Sequence, residues 1–268
     1  LPGDTYANRL PDPVLQQVEH FNNPNVTAND AFKPVTRYFD RITRPEQIIQ
    51  SFPAAVQTML DPADCGPACI SLSQDIQGQI FDYPEDFFKE KIHLIRRPRP
   101  DEFQIKEAAE KIKSSKKPIL ISGGGVFYSD AMDALSKFAI KHNIPVAQTV
   151  MGYSTMKRDH SHYAGQIGGL GGKNTNTLAK QTDLAIAVGT KLADFTTGSW
   201  ANFENNDFKL VSINVSRFDA NKHLAQAVVG DAKASLNELS LALGDWKAGE
   251  EWNKKSQAEL KSWNEHVD

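Results

Sequence analysis

In this sequence of 268 residues, the glycines have the spacing that is most suggestive of a binding site. One group of them is Gly123, Gly124 and Gly125. The triplet follows an apolar run and precedes a helical pattern. Such a turn lets backbone amides bind a pyrophosphate at a helix N-terminus, because glycine has no side chain to block them. The dinucleotide fingerprint G-x-G-x-x-G is incomplete, since Tyr128 stands where the third glycine would be. Taken alone, the triplet favours a tight structural turn over nicotinamide binding.

A second glycine group spans residues 165–172 and contains Gln166, Gly168 and Gly169. It stands before a helical pattern that begins at Asn174. Glycine costs backbone entropy on folding, so this density indicates that something approaches the backbone closely. We expect a ligand or another domain at the carboxyl end of a sheet, with a flexible loop as the alternative.

The other candidates for chemistry are two histidines and two cysteines. His160 and His162 could bind zinc, but no further ligands stand beside them, so a polar surface loop is expected. Cys65 and Cys69 are too few for a disulfide framework, and we predict two small buried thiols on or beside a strand. No G-x-S-x-G elbow occurs, so a serine mechanism has no nucleophile. The residues alone identify no catalytic group and no metal site.

The composition excludes several classes of partner. Hydrophobic residues make up 40% of the chain and charged residues 24%, which is ordinary for a globular protein. The formal net charge of −3 gives no bias toward nucleic acid. No stretch approaches the roughly 18 apolar residues of a membrane span, so no membrane partner is expected. The lack of a disulfide pattern favours a cytoplasmic protein.

The elements that position these residues alternate between strands and helices from residue 101 to residue 243. This order predicts an α/β fold with a doubly wound parallel sheet. Asp101 and Gln104 predict a capping box at the start of the first helix. The predicted strands are 118–122, 144–149, 184–188 and 210–215, and the predicted helices are 105–112, 131–142, 174–181 and 234–243.

The flanking regions follow a different pattern. Upstream we predict a short helix at Pro13–Val18, strands at 35–39 and 67–72, and a helix at 45–60 that Pro53 should kink. Residues 1–4 resemble a turn after a missing strand, which suggests a fragment, with a processed terminus as the alternative. The charged helical tail from residue 244 has tryptophans without an evident packing partner in the sequence: Trp246, Trp252 and Trp263.

Six sequence blocks in this order resemble the middle domain of thiamine-diphosphate enzymes of the acetolactate-synthase and pyruvate-oxidase type. They are Lys116–Gly125, Asn143–Ser154, Arg158–Gly172, Thr182–Gly198, Leu210–Ser216 and Val228–Ala232. Upstream, Asn29–Thr36 resembles the D-A-F-Q-E loop of the pyrimidine-binding domain of that family. Asp64–Gln79 resembles the stretch that closes that domain.

The resemblance implies a domain organisation. Residues 1–90 would be the C-terminal part of an α/β pyrimidine-binding domain, and 91–100 a linker. Residues 101–243 would be the thiamine-diphosphate enzyme middle domain. Residues 244–268 would be a helical tail that leads to a pyrophosphate-binding domain outside this chain. We expect a parent enzyme that is a homodimer or a homotetramer and acts on a small-molecule substrate.

The family's cofactors are thiamine diphosphate and Mg²⁺, and the residues that anchor them are missing from this sequence. The family uses G-D-G with a downstream Asn pair, because Mg²⁺ prefers oxygen ligands. Gly-Asp occurs here at positions 3–4, 230–231 and 244–245, and none of these pairs continues in that way. The activating glutamate would precede residue 1. We therefore expect an isolated chain that is inactive and binds thiamine diphosphate weakly or not at all.

The resemblance carries over modest roles to individual residues. Ala31, Phe32 and Lys33 match loop positions that face substrate and cofactor. Core packing is the alternative for Phe32 and a solvated lysine for Lys33. In relatives that bind flavin or ADP, the nucleotide contacts lie at positions that correspond to Gly123, Gly124, Gly125, Gln166, Gly168, Gly169 and the 189–194 loop. Many relatives bind nothing there.

Within the family, the departures from the usual pattern favour one activity. Lys33 replaces the usual Gln, and Ser73 with Gln74 replaces a Pro. These features favour a member that opens a cyclic 1,2-diketone by C–C hydrolysis. An acetolactate-synthase-like enzyme and a stand-alone nucleotide-binding module are the alternatives. A sirtuin-type deacetylase is disfavoured, because two cysteines cannot build its four-cysteine zinc site.

Overall fold

The computed structural model describes residues 1–8, 20 and 22–267. It divides into two compact units, Leu1–Arg96 and Arg97–Asp268, which we call the first and second unit. The predicted helix at Pro13–Val18 lies outside the described residues. Across the described residues, none of the helices combines the length and apolar character that a membrane crossing requires.

The first unit contains a three-stranded parallel sheet in the order β1-β3-β2. Its strands are β1 (Gly3–Asp4), β2 (Tyr38–Ile42) and β3 (Ala68–Ser73), and its helices are α1 (Ile48–Leu60) and 3₁₀ helices at Ala28–Val35, Pro45–Gln47 and Glu85–Phe88. One sheet face presents Ile42 and Ile70 to Ala55 of α1 and to Ile76. This apolar cluster is the core of the first unit.

Two expectations for the first unit were wrong. Gly3 and Asp4 form a strand and not a turn, because they pair with Leu72 and Ser73 of β3. Val35 ends a 3₁₀ helix, and the strand that was predicted there begins only at Tyr38. In both places the deciding partner is distant in the sequence.

The second unit contains a six-stranded parallel sheet in the order β6-β5-β4-β7-β8-β9. Counted within the unit this is the order 3-2-1-4-5-6 of dinucleotide-binding folds. The strands are β4 (Pro118–Ser122), β5 (Val146–Gln148), β6 (Tyr163–Gln166), β7 (Leu184–Val188), β8 (Lys209–Asn214) and β9 (Gln226–Val229). The doubly wound parallel sheet predicted from the sequence is confirmed.

Helices cover both faces of this sheet. The α-helices are α2 (Glu102–Lys113), α3 (Gly125–Tyr128), α4 (Met132–His142), α5 (Lys173–Gln181), α6 (Asp194–Thr197), α7 (Arg217–Ala220), α8 (Ala232–Leu243) and α9 (Glu250–Val267), with 3₁₀ helices at Val150–Gly152 and Lys222–Leu224. One apolar cluster joins alternate strand residues to α2, α4 and α8. A second joins the opposite face to α5 and α9. Burial of both faces is typical of a parallel sheet.

The start of α2 shows how local and distant contacts combine. The Asp101 side chain accepts hydrogen bonds from the backbone N of Phe103 (2.9 Å) and of Gln104 (3.4 Å), as an N-cap residue does. The predicted capping box is incomplete, because Gln104 Oε1 instead accepts from the backbone N of Val229 at 2.9 Å. That bond ties α2 to β9.

The C-terminal tail packs against the sheet, contrary to the expectation that its tryptophans lack partners. Trp252 is only 5% exposed, and its Nε1 donates to the carbonyl of Pro118 at 2.8 Å. Gln257 Nε2 donates to the carbonyl of Tyr163 at 3.0 Å. The partners precede the tail by more than 90 residues, so no local pattern could reveal them.

Candidate functional site

The Gly123–Gly125 turn lies at the carboxyl edge of the second sheet, where the strand order reverses between β4 and β7. Gly123 N donates to Val188 O and Gly125 N donates to Gly189 O, each at 2.9 Å. A β-carbon at Gly125 would lie 2.6 Å from Cα of Gly189. Two backbone turns therefore pack directly on each other, and this packing alone requires glycine.

The helix after this turn differs from that of a dinucleotide-binding fold. α3 is a single turn of four residues, Gly125–Tyr128, and α4 begins separately at Met132. A pyrophosphate site depends on the aligned amides of a long helix that begins at the glycine turn. The geometry thus agrees with a tight structural turn.

The glycine group at residues 165–172 is a packed, hydrogen-bonded turn between β6 and α5. Gly168 N donates to Asn176 Oδ1 at 2.9 Å, and Asn176 Nδ2 donates back to Gly168 O at 3.0 Å. Gly169 N donates to Phe195 O at 2.7 Å. Gly168 has a φ of +102°, and its β-carbon would lie 2.0 Å from Phe195 O. Elements of the same unit approach the backbone here, and Gln166 ends β6 beside them.

The histidine pair is structural and lies closer to the core than expected. His162 is buried, and its Nε2 is 3.1 Å from Asn143 Oδ1. His160 Nε2 is 2.9 Å from Ser136 Oγ. Burial lowers the pKa of both rings and favours their neutral forms. The surface-loop prediction fails for His162 because its carbonyl pairs with Val146 N at 2.7 Å beside the start of β6.

The two cysteines differ in their surroundings. Cys69 lies buried on β3, and burial raises the pKa of its thiol. Cys65 is exposed, so the prediction of two buried thiols was wrong for this residue. It lies in the loop before β3, outside the sheet.

In the first unit, Ala31, Phe32 and Lys33 lie exposed on the 3₁₀ helix Ala28–Val35. Phe32 is 44% exposed, so core packing does not explain it. Lys33 Nζ lies 2.5 Å from Asp30 Oδ1 and 5.2 Å from the ring centroid of Phe39. The Lys33 ammonium thus lies between the Asp30 carboxylate and the Phe39 ring.

Beneath this helix lies a polar network that the sequence did not predict. Asp4, only 2% exposed, accepts from Arg41 Nε at 2.7 Å and from the Ser71 hydroxyl. Arg41 Nη2 also donates to Asp30 Oδ2 at 2.8 Å and to Thr27 Oγ1 at 2.9 Å. One guanidinium therefore joins β1, β2 and the start of the 3₁₀ helix.

The network keeps both carboxylates charged. Burial by itself would raise the pKa of Asp4, but hydrogen bonds from Ser71 and Arg41 outweigh it and lower the pKa. Burial likewise opposes ionisation of Asp30, while bonds from Lys33, the Thr27 amide and Arg41 hold its pKa well below the usual range. Charge-assisted bonds of this kind are short and strong.

The Gly-Asp pairs of the sequence occupy structural positions. Asp4 belongs to the polar network, and Asp231 caps α8 through the backbone N of Ala234 at 3.1 Å. Asp245 is exposed after α8. Within residues 1–8, 20 and 22–267, no group of three or more His, Cys, Asp or Glu side chains could hold a metal ion. These residues do not fit a magnesium–diphosphate site.

The fold and these turns define an α/β protein whose second unit is a doubly wound domain without a metal clamp in its described part. Residues 105–239, about half of the chain, match the family described as thiamine pyrophosphate enzyme, central domain. The chain belongs to this family of thiamine pyrophosphate enzymes.

Several similar curated proteins share one name. The chain is 44% identical over 267 residues to 3D-(3,5/4)-trihydroxycyclohexane-1,2-dione hydrolase of Clostridium perfringens, covering 100% of this chain and 42% of that protein. Proteins of the same name from Clostridium botulinum (49% identity, 89% of this chain, 37% of that protein) and Geobacillus thermodenitrificans (45%, 100%, 41%) are also similar. The chain thus spans about two fifths of the length of these relatives.

Proposed function

We propose that this chain is part of a thiamine-diphosphate-dependent hydrolase that opens the ring of trihydroxycyclohexane-1,2-dione. The product would be 5-deoxyglucuronic acid, formed in inositol catabolism. The observation that carries the proposal is the 44% identity, over the whole chain, to a relative with this name. The parent protein would be a cytoplasmic homodimer or homotetramer.

The domain roles belong to the same proposal. Residues 1–90 would serve as the C-terminal part of the pyrimidine-binding domain, and residues 101–243 as the middle domain. Thiamine diphosphate and Mg²⁺ would be anchored by residues outside this chain. The parallel sheets of both units support these roles.

Ala31, Phe32 and Lys33 would face the substrate. Their exposure supports this role, because a group that touches substrate must be accessible before binding. The Lys33 ammonium would stabilise negative charge that develops on a ring oxygen as the C–C bond breaks. Its Nζ is held 2.5 Å from Asp30 Oδ1, which limits the directions in which it can point.

An assay of the complete gene product that contains this sequence tests the proposal. Supplied with thiamine diphosphate and Mg²⁺, it should hydrolyse the cyclic dione and leave pyruvate uncondensed. Condensation of pyruvate would instead identify the acetolactate-synthase-like alternative. Turnover of neither substrate would refute both assignments.

Calorimetry on the 268-residue chain tests the assignment of the anchor. We expect no saturable heat with thiamine diphosphate and Mg²⁺. Tight binding would contradict an anchor outside the chain.

A nucleotide-binding role at the carboxyl edge of the second sheet is a second candidate. Exposed apolar side chains next to Gly124 favour it, because Tyr128 and Met151 could cover a planar ring. Gln166, Gly168 and Gly169 would then contact the nucleotide from the neighbouring turn. Saturable binding of ADP to the chain, lost in Met151→Asp, would support this role.

A further inference from the structure

The network beneath the 3₁₀ helix lies where a parallel sheet usually binds its ligand. Asp4 is the last residue of β1, and Arg41 is the last but one of β2. Their neighbours on β3 are Ser73 and Ser71, respectively. Because side chains alternate between sheet faces, these residues share one face near the carboxyl ends of the strands. Ligands of open parallel sheets bind at that edge.

Several bonds hold the segment 27–35 on this face. Asn29 is buried, and its Nδ2 donates to Gly3 O at 2.6 Å and to Ser71 Oγ at 2.8 Å. Thr27 N donates to Asp30 Oδ2 at 2.7 Å. The residues that make these bonds lie on the inner side of the segment, whereas Phe32 and Lys33 lie on the exposed side.

Arg41 is the residue that unites these contacts. Its Nε and Nη2 bind two different carboxylates, Asp4 and Asp30, while the second oxygen of Asp30 holds Lys33. The planar fork of arginine presents separate N–H donors to the two acceptors in a fixed geometry, whereas the compact lysine ammonium would hold them less firmly. Through the Asp30 carboxylate, Arg41 is therefore linked to the Lys33 ammonium.

We propose that Arg41 is a positioning residue that, by bridging Asp4 and Asp30, fixes the segment 27–35 and orients the Lys33 ammonium toward a polar, oxygen-rich substrate at the carboxyl end of the first sheet. The orientation toward substrate rests on the proposed function. The fixing of the segment does not rest on it.

Hydrogen exchange on the 268-residue chain tests the fixing of the segment. In Arg41→Ala, the backbone amides of residues 29–33 and 35 should exchange at least about tenfold faster, because the segment opens locally. In Arg41→Lys, part of this protection should return. Arg44→Ala is the matched control, because the Arg44 side chain is 76% exposed and its ion pair with Glu46 is long, at 4.0 Å. This variant should leave exchange in the segment unchanged.

Asp30→Asn guards against a variant that simply unfolds the first unit. It removes the carboxylate that joins Arg41 to Lys33 while the bond between Arg41 and Asp4 remains. Residues 29–35 should exchange faster, whereas the amides of β3 keep their protection. Equal acceleration in β3 and in the segment, or unchanged exchange in both Arg41 variants, would overturn the inference.

Kinetics of the complete gene product test the orientation of Lys33. With the cyclic dione as substrate, Arg41→Ala should lower kcat by about tenfold or more with KM nearly unchanged, as for an interaction made only in the transition state. Arg41→Lys should recover part of the loss. An unchanged kcat in Arg41→Ala would overturn the orienting role. If the wild-type protein does not turn over the dione, the proposed function is refuted. The hydrogen-exchange experiment then still tests whether Arg41 fixes the segment 27–35.

Discussion

The two sheets of this chain use their faces differently. The six-stranded sheet of the second unit is apolar on both faces, with helices packed on each. The three-stranded sheet of the first unit has one apolar face against α1, and its other face carries Asp4, Arg41 and Ser71. Both sheets are parallel, so strand direction does not explain the difference.

The six-stranded sheet therefore serves mainly to stabilise the fold, whereas the polar face of the three-stranded sheet offers charged groups that could take part in chemistry. Burying apolar area stabilises a fold in proportion to the area removed from water. A buried ion pair contributes little net stability, because desolvation of the charges offsets their attraction. The first unit therefore gives up apolar burial on one face, and what it gains is a fixed and charged surface segment.

The largest expected effect concerns the apolar packing of the second sheet. Trp252→Ala should lower the free energy of unfolding of the second unit by about 3–5 kcal/mol, because a buried indole is replaced by a cavity. Urea unfolding followed by circular dichroism measures the loss. Trp252→Phe is the control, and it should cost less, about 1–3 kcal/mol, because the buried Pro118 carbonyl loses its donor. A lower free energy of unfolding in the first unit instead would contradict the assignment of Trp252 to the core of the second sheet.

A somewhat smaller loss is expected where two backbone turns touch. Gly125→Ala should destabilise the second unit by about 1–3 kcal/mol, because the added methyl meets the backbone of Gly189, which cannot rotate away. Thermal unfolding gives the change. Gly249→Ala is the matched control, since its β-carbon would meet nothing within 4 Å. Equal stability of both variants would show that the turns can separate.

Acidification should affect the second unit first. His142 is buried, with Nδ1 2.7 Å from Trp246 O and Nε2 3.0 Å from Ser240 Oγ, and burial lowers its pKa from the ordinary value of 6.5. The unfolded chain takes up this proton more readily, so stability falls as pH drops below 6.5. The slope is at most about 1.4 kcal/mol per pH unit for one proton. His142→Gln should flatten the dependence measured by urea unfolding.

The first unit should respond at lower pH. The pKa values of Asp4 and Asp30 lie below the ordinary 3.8, so their stabilisation is complete above that value and is lost as pH falls through the lowered values. Exchange of the amides of β3 measured from pH 5 down to pH 2 follows this unit. Loss of β3 protection at a higher pH than the loss in the second unit would contradict the assignment.

The smallest expected effect sharpens the separation of stability from chemistry. Lys33→Gln should change the stability of the first unit by less than about 0.5 kcal/mol, because exposed ion pairs contribute little. Chemical unfolding of both proteins measures the difference. A loss near that expected for Trp252→Ala would mean that Lys33 is part of the packing.

The regular part of the fold was predictable from local pattern. Strands 118–122 and 184–188 have the predicted bounds, because each is a short apolar run between turn signals. The strands at Gly3–Asp4, Tyr163–Gln166 and Gln226–Val229 were missed. They are short and border the sheets, so their pairing partners decide them more than their own residues do.

The candidate site was predictable only in part. The resemblance directed attention to Ala31, Phe32 and Lys33, and they lie exposed together. Arg41 carried no signal, because its partners Asp4 and Asp30 are 37 and 11 residues away in the sequence. Arg41 also lay outside the predicted strand 35–39, and only the fold reveals it as a bridge.

Local residue patterns determined where helices and strands alternate, and the order of six motifs determined the family. Each helix, strand or motif is recognised from residues within a few positions of one another, and the order of the motifs can be read directly along the chain. The tertiary structure decided which glycines touch, why the tail tryptophans are buried and which carboxylates one arginine joins. Those outcomes depend on pairs separated by tens of residues, and chain folding selects them through packing and hydrogen-bond geometry.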